Sequence, residues 1–261
     1  MRSSLFATVL LTASQASALV RSPKPAGPTN GQYIVDGQFS FTNRAIFNFA
    51  GATSLPSGLY RSTYSVGTHV YQAANAVVSG GYLNLKVPGG QTAQPYRSAE
   101  VVTVVNNIKY ASVRTVAIFS GPAGVCNGIF YYKNDTQETD IEWLSDAASL
   151  SNGGTRKLWF TNQDADQNGI KTYNAVTPPS DATTAEHEYR LDWTPGLVRW
   201  FVDGVQIWNT TSDVPNSAGP WVFNNWSNGD NGWSAGPPAT EANFKIKDIE
   251  IYYNTCSGSG C

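Results

Sequence analysis

From residue 82 onward, apolar and polar positions alternate in short runs and do not recur every three or four residues. Such runs cover 82–87, 100–105, 110–119, 128–132, 139–144, 157–161, 188–193, 197–202, 205–208, 221–225 and 244–253, and they are rich in β-branched and aromatic residues. Side chains of a strand point alternately to opposite faces, so this pattern predicts half-buried β-strands. Clusters such as Pro88-Gly89-Gly90 and Gly121-Pro122-Ala123-Gly124 separate the runs, as turns between antiparallel strands require. Asp203-Gly204 sits between two of them and supplies the positive φ values of a tight hairpin. No long stretch of helical period occurs outside the N-terminal leader, and no internal repeat suggests a propeller. The expected fold is all-β: a β-sandwich jelly roll of two stacked antiparallel sheets.

The ends of the chain read differently. Residues 1–18 carry one early positive charge at Arg2, an apolar stretch from Leu5 to Leu11, and small residues at Ala16 and Ala18. This is the anatomy of a secretory signal peptide cleaved after Ala18, and the apolar stretch is too short to span a bilayer. Residues 19–32 are rich in Pro, Gly, Ser and polar residues and are expected to form a loose lead. A single domain over residues 33–254 and a short tail over 255–261 complete the expected organisation. That tail carries no hydrophobic stretch, so no lipid anchor is expected there. The protein is expected to be secreted, extracellular or in a cell wall, without membrane attachment.

Composition narrows the partners. Seventeen Lys and Arg stand against 19 Asp and Glu, and no basic run exists to follow a phosphate backbone, which argues against nucleic acid. Charged residues make up only 14% of the chain while aromatic residues reach 12%, with eight Trp and thirteen Tyr. Such a chain suits an uncharged ligand with flat apolar faces, such as a sugar, although aromatic residues also fill β cores. Cys126, Cys256 and Cys261 match no zinc spacing; one disulfide would leave one thiol over, and the pairing stays open. Asn134, Asn209 and Asn225 each begin an N-glycosylation acceptor triplet.

The chemistry is concentrated in Glu138-Thr139-Asp140-Ile141-Glu142-Trp143-Leu144. Strand alternation puts the three acids on one face and Ile141 and Trp143 on the other, which is the natural core side. Three carboxylates in one row repel and cost stability, so a solvated edge strand competes with a catalytic reading. On a straight strand the Cα atoms of Glu138 and Glu142 lie ~13 Å apart. Two long side chains leaning together over a curved strand bring their carboxyls toward the ~5–5.5 Å that a retaining glycosidase needs. In this reading Glu138 is the nucleophile, Glu142 the acid and then base, and Asp140 tunes its neighbours. Like charges hold back at least one proton, and Glu142 is expected to carry it. No metal or organic cofactor is required.

At these residues the chain resembles glycoside hydrolase family 16, whose hallmark Glu-x-Asp-x-Glu reads here as Glu138-Thr139-Asp140-Ile141-Glu142. The flanks extend the resemblance over about residues 80–253: Tyr96-Arg97-Ser98-Ala99-Glu100, Tyr110 to Arg114, and Gly128-Ile129-Phe130 upstream, then His187 to Pro195, Val198 to Gly204, and Asn224 to Pro238 downstream. It implies a concanavalin A-like fold and a retaining endo-β-glucanase or a related transglycosylase, with nucleophile, assisting acid and acid/base at Glu138, Asp140 and Glu142. It leaves the linkage and polymer open. A structural calcium is possible in such a family, but no ligand loop can be read here. A lectin on the same architecture is a third reading, disfavoured because binding needs no row of acids.

Trp226 and Trp233 stand in a Gly/Asn/Pro-rich segment and are expected to line a polysaccharide cleft, with Asn162 and Asn224 as weaker candidates for reading hydroxyls. Trp143, Trp193, Trp200, Trp208 and Trp221 lie in strand patterns and are expected in the core. His187 has no Ser or Cys nucleophile nearby in sequence and reads as structural, while Glu100 and Arg97 either reach the cleft or form an exposed pair on a strand. The expected partner is a β-linked polysaccharide, bound by a monomer.

Overall fold

The structure is a computed structural model, and residues 19–258 and 261 are described; the expected signal peptide lies outside them. Eighteen strands are assigned among these residues. They are β1 (Tyr33–Val35), β2 (Phe39–Phe41), β3 (Asn43–Asn48), β4 (Leu59–Arg61), β5 (His69–Tyr71), β6 (Ala76–Ser79), β7 (Tyr82–Val87), β8 (Tyr96–Thr103) and β9 (Ile108–Ile118). They continue with β10 (Cys126–Asn134), β11 (Gln137–Leu144), β12 (Leu158–Asn162), β13 (Thr172–Val176), β14 (His187–Thr194), β15 (Leu197–Val202), β16 (Val205–Thr210), β17 (Trp221–Trp226) and β18 (Ala242–Thr255). One sheet runs β13-β12-β11-β10-β17-β8-β4, with β5 added to β8; the other runs β16-β15-β14-β9-β18-β7-β6, with β3 added to β18. Pairing is antiparallel except between β5 and β8, so the two stacked sheets expected from the alternation are present.

The core forms where the inward faces meet. Ile141, Trp143, Phe160, Trp221 and Phe223 of the first sheet pack with Val113, Leu191, Trp193, Trp200, Phe244 and Ile249 of the second. Burying an aromatic side chain of this size stabilises by roughly 1.5–3 kcal/mol, and an indole N–H left unpaired offsets part of that gain. Three of the buried indoles donate to carbonyls: Trp143 to Ser120 (3.0 Å), Trp193 to Pro215 (2.7 Å) and Trp200 to Asp140 (2.8 Å). The last bond ties the acid strand to the opposite sheet. Trp208 is half-buried and stacks on Trp200 with ring centroids 4.6 Å apart.

Asn225 joins the sheets in the same way. Its Nδ2 donates to the carbonyls of Leu85 (2.8 Å) and Ala242 (3.1 Å), and its Oδ1 accepts from Asn127 Nδ2 (2.8 Å). The acceptor side chain of Asn225 is therefore sealed inside the sandwich, whereas Asn134 and Asn209 are exposed.

In the segment read as a loose lead, Arg21 forms a fork onto Asp248 (3.1 and 2.8 Å), the Ser22 amide donates to Glu188 (2.7 Å), and Lys24 pairs with Glu250. Beyond it, β1 and β2 cover Tyr252 with Val35 and Phe41. In the tail, Cys256 and Cys261 form the disulfide, and the amide of Ala218 donates to the Cys261 carbonyl at 2.9 Å. Cys126 is the free, buried thiol.

Candidate active site

Strand β11 lies between β10 and β12, and register decides what faces its acids. Glu142 stands opposite Gly128 and Trp159, Asp140 opposite Phe130 and Thr161, and Glu138 opposite Tyr132. The alternate residues Thr139, Ile141 and Trp143 are buried, and the three acids together line a groove of about 460 Å³. Tyr64, His69, Glu100, Asn224 and Trp226 share that groove. Gly128 keeps the floor open beside Glu142: a Cβ there would sit 2.5 Å from Asn224 Oδ1.

Burial raises the proton affinity of all three acids, because a carboxylate out of water loses its hydration. Glu138 is pushed up to about 8, by burial first, with the charge of Glu142 adding to it and a hydrogen bond from Asp140 opposing it. Asp140 is raised well above the usual range by burial and by both neighbouring charges. The hydrogen bond they share opposes the rise on Glu138 and adds to the rise on Asp140. Gln163 Nε2 donates to Asp140 Oδ2 at 3.1 Å and fixes that carboxyl. Glu142 is also raised by burial, while Cys126, Trp233 and Lys171 act in the opposite direction. Cys126 Sγ and Trp233 Nε1 both donate to Oε1 of Glu142, each at 3.2 Å.

Trp226 lines the groove and stacks on His69 with centroids 5.2 Å apart; burial lowers that histidine to about 4, so it is neutral at pH 7. Trp233 packs against the cluster of Cys126, Leu144 and Trp159 beside Glu142, and unlike Trp226 it is not among the side chains that line the groove. Asn224 gives Nδ2 to Tyr71 OH (3.2 Å) and Glu100 Oε2 (3.3 Å), while its buried Oδ1 has no protein partner. An amide oxygen in that state accepts from a ligand hydroxyl or water.

Asn162 is not part of this group. It pairs with Thr139 and not with an acid, so it points into the sandwich, where it is fully buried and donates to the Ser212 carbonyl at 3.0 Å. Strand parity places Trp159 and Thr161 on the acid side instead. Glu100 is buried in the groove, accepting from Ser62 Oγ (2.7 Å) and Tyr64 OH (2.9 Å), while Arg97 is exposed and bonded to Gln91. The exposed-pair reading of these two residues therefore fails for Glu100. His187 lies in the other sheet between Asp203 (2.7 Å) and Asp181 (3.0 Å). Among the described residues, no group of three or more His, Cys, Asp and Glu side chains is placed to hold a metal ion.

The geometry agrees with comparisons to known proteins. A β-glucanase of Paenibacillus polymyxa is 39% identical over 110 residues, which are 40% of this chain; the chain spans 42% of that relative's length. The solved Bacillus licheniformis β-glucanase shares the fold at a TM-score of 0.66, with 19% identity over 82% of this chain and 98% of that one. A Crh5 transglycosylase shares it at a TM-score of 0.57, with 17% identity over 80% and 83% of the two chains. Residues 64–249 match glycosyl hydrolases family 16, and with its row of acids on one central strand the chain belongs to that family.

Proposed function

We propose that the protein is a secreted, retaining glycoside hydrolase that cleaves internal β-1,3 linkages, β-1,4 linkages or both in β-glucan. The observation that carries this reading is the arrangement on β11: three acids share one groove, the middle one hydrogen-bonded with Glu138 while fixed donors hold one oxygen of Glu142. Two carboxyls on one groove, with environments that push them to different tasks, are what double displacement requires.

The reactive form is the one in which Glu138 has given up the proton it holds up to about pH 8 while Glu142 keeps its own; the Glu138 carboxylate attacks the anomeric carbon, the glycosidic C–O bond breaks, and Glu142 gives its proton to the leaving oxygen. Both donors to Glu142 land on Oε1, so Oε2 is the oxygen that carries the proton into the groove. Water then attacks the glycosyl-enzyme as Glu142 takes a proton from it, and Glu138 is released. Asp140 supports the charge returning to Glu138. The cycle needs no cofactor. Trp226 offers an apolar face to the sugar, Trp233 acts on it through Glu142, and Asn224 Oδ1 accepts from a hydroxyl. The protein acts as a monomer exported by residues 1–18.

Incubation with laminarin, mixed-linkage glucan, xyloglucan and chitin oligomers tests this reading against the E138Q variant. Shorter products with new reducing ends from laminarin or mixed-linkage glucan, lost in E138Q, support it. Oligomers longer than the substrate would make the protein a transglycosylase, and binding without turnover would make it a lectin.

A further inference from the structure

The acid strand has a neighbour that the cycle above does not use. Cys126, the first residue of β10, stands opposite Leu144 and Trp226 and is fully buried beneath Trp159 and Trp233. Cys256 and Cys261 are joined, so it is the chain's single thiol. Its Sγ lies 3.2 Å from Glu142 Oε1, the same oxygen that receives Trp233 Nε1.

We propose that Cys126 is a positioning residue of the active site, whose thiol proton, together with the Trp233 indole, pins Oε1 of Glu142 so that Oε2 delivers the catalytic proton. This rests on Glu142 being the acid/base.

Three features support it. A packing role alone needs no polar contact, yet the sulfur meets a carboxyl oxygen. Burial and the adjacent carboxylates push the thiol's own ionisation well up, so it stays an S–H donor while Glu142 titrates. The two donors also come from different parts of the chain, β10 and the segment after β17, so together they restrict rotation of the carboxyl about its last bond. The other groups acting on Glu142 are few. Asp140 and Glu138 lie on its own strand and Lys171 precedes β13; Gly128 of β10 and Trp159 of β12, which pair with it, carry no charge.

A donor to an ionised carboxylate stabilises the charged form, so removing it raises the pKa. The alkaline limb of kcat/KM follows loss of the proton from the general acid. For C126A that limb is expected to move to higher pH by roughly half a unit to one unit, while kcat falls because a more basic, freely rotating carboxyl delivers and recovers its proton less well. C126S restores a donor and is expected to return the limb toward the parent.

The S–H stretching band of the intact protein provides a second readout that needs no variant. As the chain's only thiol, Cys126 gives one band, expected to shift with the same pH midpoint as the alkaline limb. An unmoved limb in C126A, or a band that stays constant across the pH range in which activity is lost, overturns the proposal. The reading beneath it is tested separately by E142A. That variant is expected to lose activity on glucan yet keep the first-turnover release of the leaving group from an aryl glycoside whose leaving group needs no proton, followed by slow turnover because the base is missing; loss of that first release as well refutes the acid/base role of Glu142 itself.

Discussion

Replacing Gly128 with Ala tests how tightly the groove floor is set. The added Cβ would lie 2.5 Å from Asn224 Oδ1 and 3.1 Å from the Phe130 ring, whereas ordinary contact begins at 3.4 Å. The amide must therefore retreat by about 0.9 Å, the difference between 3.4 and 2.5 Å. Its Nδ2 bonds to Tyr71 and Glu100 are already 3.2 and 3.3 Å long, so a shift of that size breaks at least one of them. Oδ1, the oxygen proposed to meet a sugar hydroxyl, then turns away from the ligand. Losing one such bond costs about 1–3 kcal/mol, which corresponds to roughly 5- to 150-fold in kcat/KM. The assay is steady-state hydrolysis of a soluble β-glucan oligomer, with a urea melt to show that the fold is kept. A folded G128A variant within twofold of the parent would refute the assignment of Asn224 to the ligand.

Other consequences concern stability and protonation. Asn225→Ala strands two buried carbonyls and the Asn127 amide, and the expected loss by urea denaturation is about 2–5 kcal/mol; a loss under 1 kcal/mol would show that the bridge between the sheets is dispensable. Glu138 binds its proton more tightly in the folded chain, about 8 against an ordinary 4.5, so the folded state holds more protons between those values and stability falls as pH rises through them. Thermal unfolding from pH 4.5 to 8 is expected to show that decline, and E138Q, which removes the charge, is expected to melt higher than the parent at pH 8; an equal or lower midpoint would refute the burial argument.

The row of acids was legible because strand alternation is local: Glu138, Asp140 and Glu142 fall on one face whatever their neighbours do. Asn162 shows where that stops. Its own strand reads equally well with either face inward, and only the register with Thr139 sends it into the core. Whether Glu100 reaches the cleft stays open in the sequence for the same reason, since β8 joins the site through β17, which lies far away along the chain, and the contact of Cys126 with Glu142 depends on the register of β10 on β11. The three-residue strands β1, β2, β4 and β5 carry too little alternation to be recognised, and partners elsewhere in the fold define them. Polar composition around residues 19–32 suggested a loose lead, yet Arg21 and Lys24 find acids on β18, a match that composition does not encode.

The central claim is that Glu138 bonds covalently to the sugar. Incubating the protein with an activated 2-fluoro β-glucoside, which slows breakdown of the intermediate, and mapping the labelled peptide by mass spectrometry tests it most directly. The expected result is one glycosyl adduct on Glu138 that disappears on addition of an acceptor sugar or prolonged exposure to water. An adduct on Glu142 or Asp140, or active protein that turns over glucan and never acquires the label, would contradict it.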